Sequence, residues 1–584
     1  HTKDASGSQL SWNYAGYNNP YFASLENTNH DDRTHWLGGA SATYAFSNAL
    51  HATVRGGTDH YTASRDFDID STWMGGLPYY AGRGDFSKGG FQHQAITASE
   101  TNGDAFVTGN PSMSGGSLAL TGGVSHRTNS FHLATTASDL AVRSATSPTT
   151  SASVTGDGNT NALYVSAALT GGYASLGATV RNEWYSVLAS GNNSALYPSL
   201  TGSYDLARAA GMGSGALSSA VVHAGWGRSG GEISPLLLRS IFTGSQTTPS
   251  PNVTASPNLG PEATNAFELG TQLGFFHSRL GLDLTYYNEQ TSDVVVGLPG
   301  TSGSVIATNA ASISNTGFEA QVTMTPLRVG ANADWTIAAR YARNTNKVEE
   351  LTGGVSTVAL GPVVNGVAVE AIKGSTLGAL VGSGFQRDPG TGALLLQNGH
   401  PIAEAKQRVL GVMAPDWVGG VNSTFHYGAV EVAAVIDARI GGNVFSTSNF
   451  AGATSGTLAE TAFRPDTGLL IGGIDVATGK ANTQHVTTEA YYHSLASIQE
   501  RWVYSASVVK LRDLRLTVAL PLRMLPVFSA QSFRAALIGR NLAMWTKAPN
   551  IDPESALSAS SFQGIEMGQL PTARSIGLQL SITP

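Results

Sequence analysis

Ser575-Ile576-Gly577-Leu578-Gln579-Leu580-Ser581-Ile582-Thr583-Pro584 closes the chain, and its reading decides the fold. Ile576, Leu578, Leu580 and Ile582 fall on one face of an extended segment, and Ser575, Gly577, Gln579, Ser581 and Thr583 on the other. A period of two with one apolar and one polar face is the pattern of a β-strand. The pattern recurs along most of the chain in segments of about ten residues, the length and alternation of a strand that crosses an outer membrane. Ala266–Phe275 alternates Phe267, Leu269, Leu273 and Phe275 with Glu268, Gly270, Gln272 and Gly274. After Phe276-His277-Ser278-Arg279, Leu280, Leu282, Leu284 and Tyr286 alternate with Gly281, Asp283, Thr285 and Tyr287, which completes a hairpin.

Composition agrees. Of 584 residues only 12% are charged and 69 are Gly; soluble globules carry roughly 25% charged residues. Mean hydropathy is −0.04, which suits a wall facing lipid on one side and water on the other. Composition alone leaves a soluble β-helix or adhesin open. A net charge of −7 argues against a nucleic-acid partner. No Cys is present, so there is no disulfide or thiol chemistry. No run of 18 apolar residues reads as a transmembrane helix, and the chain opens on polar sequence rather than a signal peptide.

Connections alternate in length. Short ones are expected near Ser47–Ala49, Gly171–Tyr173, Phe276–Arg279, Pro326–Ala333, Tyr427–Ala429 and Pro521–Gln531. Long ones are expected near Arg65–Gly90, Arg228–Ala263, Glu289–Ile313, Asn344–Pro415, Gly441–Arg501 and Thr546–Thr572. Short turns on one side and long loops on the other belong to outer-membrane barrels; structureless loops of this length would be out of place in a compact soluble domain. The count comes to about 17 or 18 strands by the ten-residue signature. Aromatic residues at strand ends, such as Trp36, Tyr44, Phe46, Trp184, Trp226, Tyr427 and Trp545, fit interfacial girdles or, alternatively, the core of a β-sandwich.

Several segments are more specific. Arg181-Asn182-Glu183-Trp184-Tyr185-Ser186 is followed by Tyr197-Pro198-Ser199, Ser256-Pro257-Asn258-Leu259-Gly260-Pro261-Glu262 and Leu284-Thr285-Tyr286-Tyr287-Asn288. Then come Ile313-Ser314-Asn315-Thr316-Gly317-Phe318-Glu319, Tyr341-Ala342-Arg343-Asn344-Thr345-Asn346-Lys347-Val348 and Val509-Lys510-Leu511-Arg512-Asp513-Leu514. Gly539-Arg540-Asn541-Leu542, Ile551-Asp552-Pro553-Glu554 and Pro571-Thr572-Ala573-Arg574-Ser575 complete the series. In this order and spacing the chain resembles the C-terminal barrel of SusC/RagA-type TonB-dependent outer-membrane transporters, from about Asn19 to the end. The resemblance implies an all-β transmembrane antiparallel barrel of 22 strands with a plugged lumen, the size class of outer-membrane transporters. It implies import of oligosaccharides, glycans or peptides without chemistry on them, energy from a TonB–ExbB–ExbD complex, and a SusD-like surface lipoprotein as lid. All of residues 1–584 are assigned to the C-terminal part of the barrel, with the plug, the TonB box and the first strands expected in a longer protein. The chain ends in Pro584 where such barrels end in an aromatic residue. A plug-less passive porin-like channel and a structural surface scaffold are the alternatives.

Candidate chemistry is sparse, and no enzyme is expected. Gly227-Arg228-Ser229-Gly230-Gly231 matches G-x-S-x-G, but that nucleophile motif requires a strand–turn–helix context. Asp66, Asp68 and Asp70 resemble the first positions of a calcium loop, yet Ser71 and Leu77 stand where Gly and Glu are needed. They are a weak Ca²⁺ candidate in an extracellular loop, and no other cofactor or metal is expected: His30 and His35 bracket Asp31-Asp32, but no His pair has H-E-x-x-H spacing. Arg181, Glu268, Asp283, Glu319, Arg340, Glu431, Asp437, Arg439 and Arg515 fall on the polar face and are expected to meet the plug. Trp73, Tyr79, Tyr80, Tyr491 and Tyr492 are the loop aromatics expected to stack on substrate.

Overall fold

The computed structural model describes residues 2–10, 19–70, 72, 90–139, 150–212, 216–231, 253–299, 305–330, 332–361, 363–520, 532–555 and 563–583. Seventeen strands of nine residues or more run through them. They are β1 (Thr28–Ser47), β2 (Leu50–Ile69), β3 (Gly90–Gly109), β4 (Gly116–Asp139), β5 (Thr150–Gly171) and β6 (Ala174–Tyr185). Next are β7 (Ser194–Asp205), β8 (Leu217–Gly231), β9 (Glu262–Phe275), β10 (Leu280–Pro299), β11 (Val305–Val329) and β12 (Ala333–Leu351). The last five are β13 (Trp417–Tyr427), β14 (Val430–Ile440), β15 (Val508–Leu520), β16 (Ser532–Thr546) and β17 (Ser575–Thr583). Chain contacts divide the protein into two compact units: His1–Gly202, Trp226–Asn265 and Thr291–Ala311 form one, and Ser203–Gly225, Ala266–Gln290 and Ser312–Pro584 the other.

In the first unit β1 to β6 are an antiparallel meander, each strand paired to the next. Register sorts the side chains. Val54, Ala105, Val124 and Leu163 lie on one rung and Ala52, Val107, Gly122 and Val165 on another, all on a single face. Val54 is 61% exposed and Val165 59%. An apolar face this extensive and this exposed has lipid as its solvent. On the reverse face Arg55, Asp104 and Ser125 align, as do Gly123 and Tyr164. A methyl group at Gly123 would stand 2.7 Å from the Tyr164 hydroxyl and 2.6 Å from Phe106 Cβ, so the tyrosine ring occupies the space that a side chain would fill.

In the second unit β12 to β17 form a like meander. Ile576, Leu578, Leu580 and Ile582 pair with Gly539, Leu537, Ala535 and Phe533, so the terminal alternation takes its place in a larger apolar face. The turn between β9 and β10 holds Phe276, His277 and Ser278 at φ of 54°, 59° and 63°, a left-handed backbone that L-residues avoid.

Many strands outrun the ten-residue expectation. β10 and β11 are joined across residues 300–304, so most of the loop expected over Glu289–Ile313 is strand. Residues 344–351, expected to open a loop, belong to β12, and β11 carries through Pro326 to Val329. Asp66 and Asp68 lie in β2, not in a loop, and Gly227–Gly231 is the end of β8. The reason is physical: beyond the hydrocarbon both faces of a strand meet water, so apolar alternation stops while the ladder of hydrogen bonds continues.

The long connections are not structureless. Residues 352–416 and 441–507 carry short strands such as Ala368–Ile372 and Ala379–Gly382, and the helices α1 (Thr447–Thr454) and α2 (Thr488–Ser494). Ser446 and Thr487 cap them by accepting from Asn449 N and Ala490 N, which satisfies amides that a helix start leaves free. Trp502, Phe445, Leu380, Leu396, Leu495, Ile498 and Ile565 are fully buried. The buried core of this unit is therefore built from its connections rather than from its wall.

Leu578→Arg places a cation on the apolar face and is expected to cost about 2–4 kcal/mol at the bilayer centre, while Gln579→Arg on the polar face is nearly neutral. Equilibrium unfolding from lipid bilayers measures the difference.

Candidate functional site

The polar face of each unit carries a charged recess. In the first, Asp104, Ser125, Arg127, Asn129, Arg181 and Glu183 line about 610 Å³. Arg181 Nε donates to Glu183 Oε1 at 2.6 Å and its Nη2 to Ser125 Oγ at 2.9 Å. The Tyr185 hydroxyl donates to Glu183 Oε2 at 2.5 Å and lies 2.8 Å from the Tyr197 hydroxyl. Tyr185, Leu188, Tyr197 and Leu259 pack as one buried cluster. Three separate sequence segments, 181–186, 197–199 and 256–262, thus meet behind Arg181 and fix its reach. Arg55 answers Asp104 at 3.0 Å.

In the second unit Asp283, Glu319, Arg340, Asp437, Arg439, Arg512 and Glu554 line about 620 Å³. Arg340 Nε donates to Gln321 Oε1 at 2.8 Å, and Gln272 Nε2 to Asp283 Oδ2 at 3.2 Å. Arg439 Nη2 donates to the Met413 carbonyl at 2.8 Å, while its buried Nε finds no partner among the described residues. Such an orphaned donor carries a desolvation cost, and it sits at the wall of the recess.

An ion network forms part of the wall of this recess. Lys510, 2% exposed, donates to Asp552 at 2.6 and 2.8 Å and to Glu554 at 2.6 Å. Arg512 makes a two-pronged contact with Glu554 at 2.6 and 2.8 Å and reaches Asp437 at 2.9 Å. Against β14 the ladder slips between Val435 and Ile436, which pair with Asp513 and Leu511; Arg512 is the extra residue of this bulge, and an extra residue in a ladder re-aims its side chain. Thr572 Oγ1 donates to Asp552 at 2.7 Å, and Asn541, held at φ 51°, donates to the Ala573 carbonyl at 3.1 Å. Burial opposes charge on Asp552 and Glu554, but hydrogen bonds from Lys510, with Thr572 at Asp552 and Arg512 at Glu554, outweigh it and hold both carboxyls below their ordinary range. The network ties Asp552, Glu554 and Thr572 to β15. Lys510, Arg512, Asp552 and Glu554 are not among the residues expected on the polar face; their signal in the sequence is K-x-R on a strand and D-x-E in the following loop.

The structure gathers Asp283, Glu319, Arg340, Asp437 and Arg439 around one recess and Arg181 at the other. Glu268 stands apart, 3.5 Å from His223. Glu431 and Arg515 lie on the polar face of β14 and β15, opposite Thr517 and Ala433. Tyr491 and Tyr492 belong to helix α2, not to a loop, and pack edge-on with ring centroids 5.2 Å apart; Trp73, Tyr79 and Tyr80 lie outside the described residues. Asp66, Asp68 and Asp70 have separate partners: His93 and Ser64, Thr28, and Lys3 with Thr72. Among the described residues no group of three His, Asp or Glu side chains is arranged about a metal position.

A family model described as TonB dependent receptor-like, beta-barrel matches residues 1–463. The chain belongs to this family. TonB-dependent receptors P3 and P26 of Formosa agariphila are 23% and 24% identical to it over 373 and 450 residues, which are 56% and 69% of this chain. The chain spans 35% and 44% of those relatives' lengths. Among solved structures, the RagAB peptide transporter aligns with 99% of the chain at a TM-score of 0.73 and 15% identity, and the closed-closed state of the RagAB peptide importer at 0.74 and 16%. The chain covers 66% of each. The protein is an outer-membrane β-barrel protein of the TonB-dependent receptor family, with a fold like that of the RagAB structures. The described wall is a large antiparallel sheet, and the family is one of receptors and transporters rather than enzymes.

The depressed carboxyls give the network a pH signature. A folded-state pKa below the unfolded one stabilises above the unfolded value and is lost as pH falls through the folded one. Hydrogen-exchange protection of residues 551–555 and 563–572 should therefore fall on acidification below the ordinary carboxylate range. Lys510→Met leaves Asp552 buried and unpaired, at a cost of about 3–5 kcal/mol, and should remove that protection already at pH 7.

Proposed function

We propose that the protein forms the barrel of a TonB-coupled importer that takes up peptides or oligosaccharides without altering them. The observation that carries this reading is the pair of charged recesses on the polar face, each set by residues from several strands. A passive channel needs only a hydrated wall. Paired arginines and carboxylates held in fixed geometry suit a surface that grips a movable plug through ionic hydrogen bonds and lets it go under load. Arg181 and Glu183 in one unit, and Asp283, Glu319, Arg340, Asp437 and Arg439 in the other, are the proposed plug contacts. Glu268, Glu431 and Arg515 extend that surface.

Likeness in fold to the RagAB peptide importer favours peptides over glycans. It also supports a surface lipoprotein of the SusD kind as lid and a TonB–ExbB–ExbD complex as the energy source. The ordered connections with their buried Trp502 and Asp552 offer a lid a firm platform.

Uptake decides between the readings. Cells carrying the intact gene and cells deleted for it are supplied with labelled oligopeptides or labelled oligosaccharides, with and without a protonophore. Peptide uptake that falls to the deletion background when the proton gradient is collapsed is the expected result. Uptake indifferent to the gradient would establish a passive channel instead. No difference between the two strains for either class would leave a structural surface role.

A further inference from the structure

On β2 to β5 the two faces of the wall exchange character at a definite rung. The last apolar outward rung is Val54, Ala105, Val124 and Leu163, and the next holds Gly56, Gly103, His126 and Asn161. Beyond it the outward face is made of hydroxyls and amides. Thr58, Thr101, Thr128 and Asn159 share one rung. Thr34, Thr62, Thr97 and Thr155 share another with His132. The reverse face, polar lower down, carries Ala63 and Ile96 at this height, opposite each other and buried. The outward polar face is continuous with the lipid-facing band beneath it.

This face lacks fixed cations. Arg33, Arg55, Arg65, Arg127 and Arg181 all stand on the reverse face, and β1 to β6 contain no Lys. Outward carboxylates are present, Asp32, Asp66, Asp68 and Asp157. Phosphate-bearing headgroups are recognised by Lys and Arg, so the face does not suit them. Hydroxyls and amides, which both donate and accept, suit neutral sugars. Thr58 Oγ1 lies 3.1 Å from Thr101 Oγ1, and Thr128 Oγ1 donates to the Thr101 carbonyl at 3.4 Å, which leaves hydroxyl lone pairs for an outside donor. Trp36, 53% exposed, stands on the rung between these two threonine rows, opposite His60. Its ring offers a flat apolar face to the C–H side of a sugar.

We propose that the outward face of β1–β5 above the apolar band docks the uncharged sugar headgroups of lipids in the surrounding leaflet. Height selects the occupant. From Thr58 to Asp66 is eight residues, about 26 Å at a rise of about 3.3 Å per residue. A strand tilt of about 40° turns this into about 20 Å above the lipid band. A phospholipid headgroup layer is only about 5–8 Å deep, so it reaches the lowest rungs alone, whereas a headgroup of several sugars covers the face. The inference is independent of what the barrel imports.

The test uses the intact full-length protein in detergent micelles doped with diglucosyl diacylglycerol or with phosphatidylglycerol of the same acyl chains. Native mass spectrometry counts the lipid retained as its concentration is raised. The sugar lipid should be held about tenfold more tightly than phosphatidylglycerol. The triple variant Thr58→Val, Thr101→Val and Thr128→Val keeps side-chain shape but removes three hydroxyls, and should weaken the sugar lipid about tenfold while leaving phosphatidylglycerol unchanged. Trp36→Ala should weaken the sugar lipid independently, and Thr108→Val on the reverse face should behave as wild type. Phosphatidylglycerol held as tightly as the sugar lipid would overturn the proposal. So would no retention of the sugar lipid, or wild-type retention by both the triple variant and Trp36→Ala.

Discussion

The constraint on which everything else rests is that hydrocarbon offers no partner for a peptide group. Every N–H and C=O of a membrane-crossing strand has to be paired with a neighbouring strand. The long antiparallel ladders from β1 to β6 and from β12 to β17 meet that requirement. Once the backbone is satisfied sideways, the side chains are left to the two solvents. Val54, Val165, Leu578 and their rung neighbours face lipid, and Arg55, Asp104, Arg181, Asp437 and Gln579 face water. The lipid-facing side chains of the wall consequently join no core, which is why Val54, Val165 and Leu578 are more than half exposed.

Burial reappears where the chain leaves the wall. Trp502 donates from its indole to the Leu495 carbonyl at 3.1 Å and meets Phe450 edge-on. Glu566, 1% exposed, accepts from Ser446 and Ser448 hydroxyls at 2.7 and 2.6 Å. The Lys510–Asp552–Glu554–Arg512 network then ties these connections to β15 and β14. A charge cluster this well enclosed requires every donor and acceptor to be matched, and the matching fixes one arrangement of the loops over the recess below. The ordered layer and the charged recess are thus mechanically continuous, through Arg512 and Asp437, within the second unit.

Much of this was legible in the sequence. Strand identity followed from residues such as Ile576, Leu578 and Leu580, because period-two alternation is imposed locally by the pleat. Seventeen long strands are present among the described residues, where about 17 or 18 were expected from the ten-residue signature. The placement of Arg181, Asp283, Glu319, Arg340 and Asp437 on the polar face followed from the same parity. Strand ends were not legible. Asp66 and Asp68 read as loop residues, and residues 344–351 likewise, because outside the bilayer a strand has no apolar face to announce it. Tyr491 and Tyr492 read as loop aromatics, because the caps and packing that make α2 a helix come from the ordered layer around it.

The sequence by itself determined the face on which each wall side chain lies and the family to which that wall belongs, since both depend on neighbours two residues apart and on short segments in order. Tertiary structure alone decided which distant residues meet. Lys510 and Asp552 are 42 positions apart, and Asp66 and His93 are 27. Their encounter depends on strand register, on the displaced Arg512 and on the folded connections. Register is a property of paired strands, settled by the sum of many cross-strand contacts, and no single segment carries it.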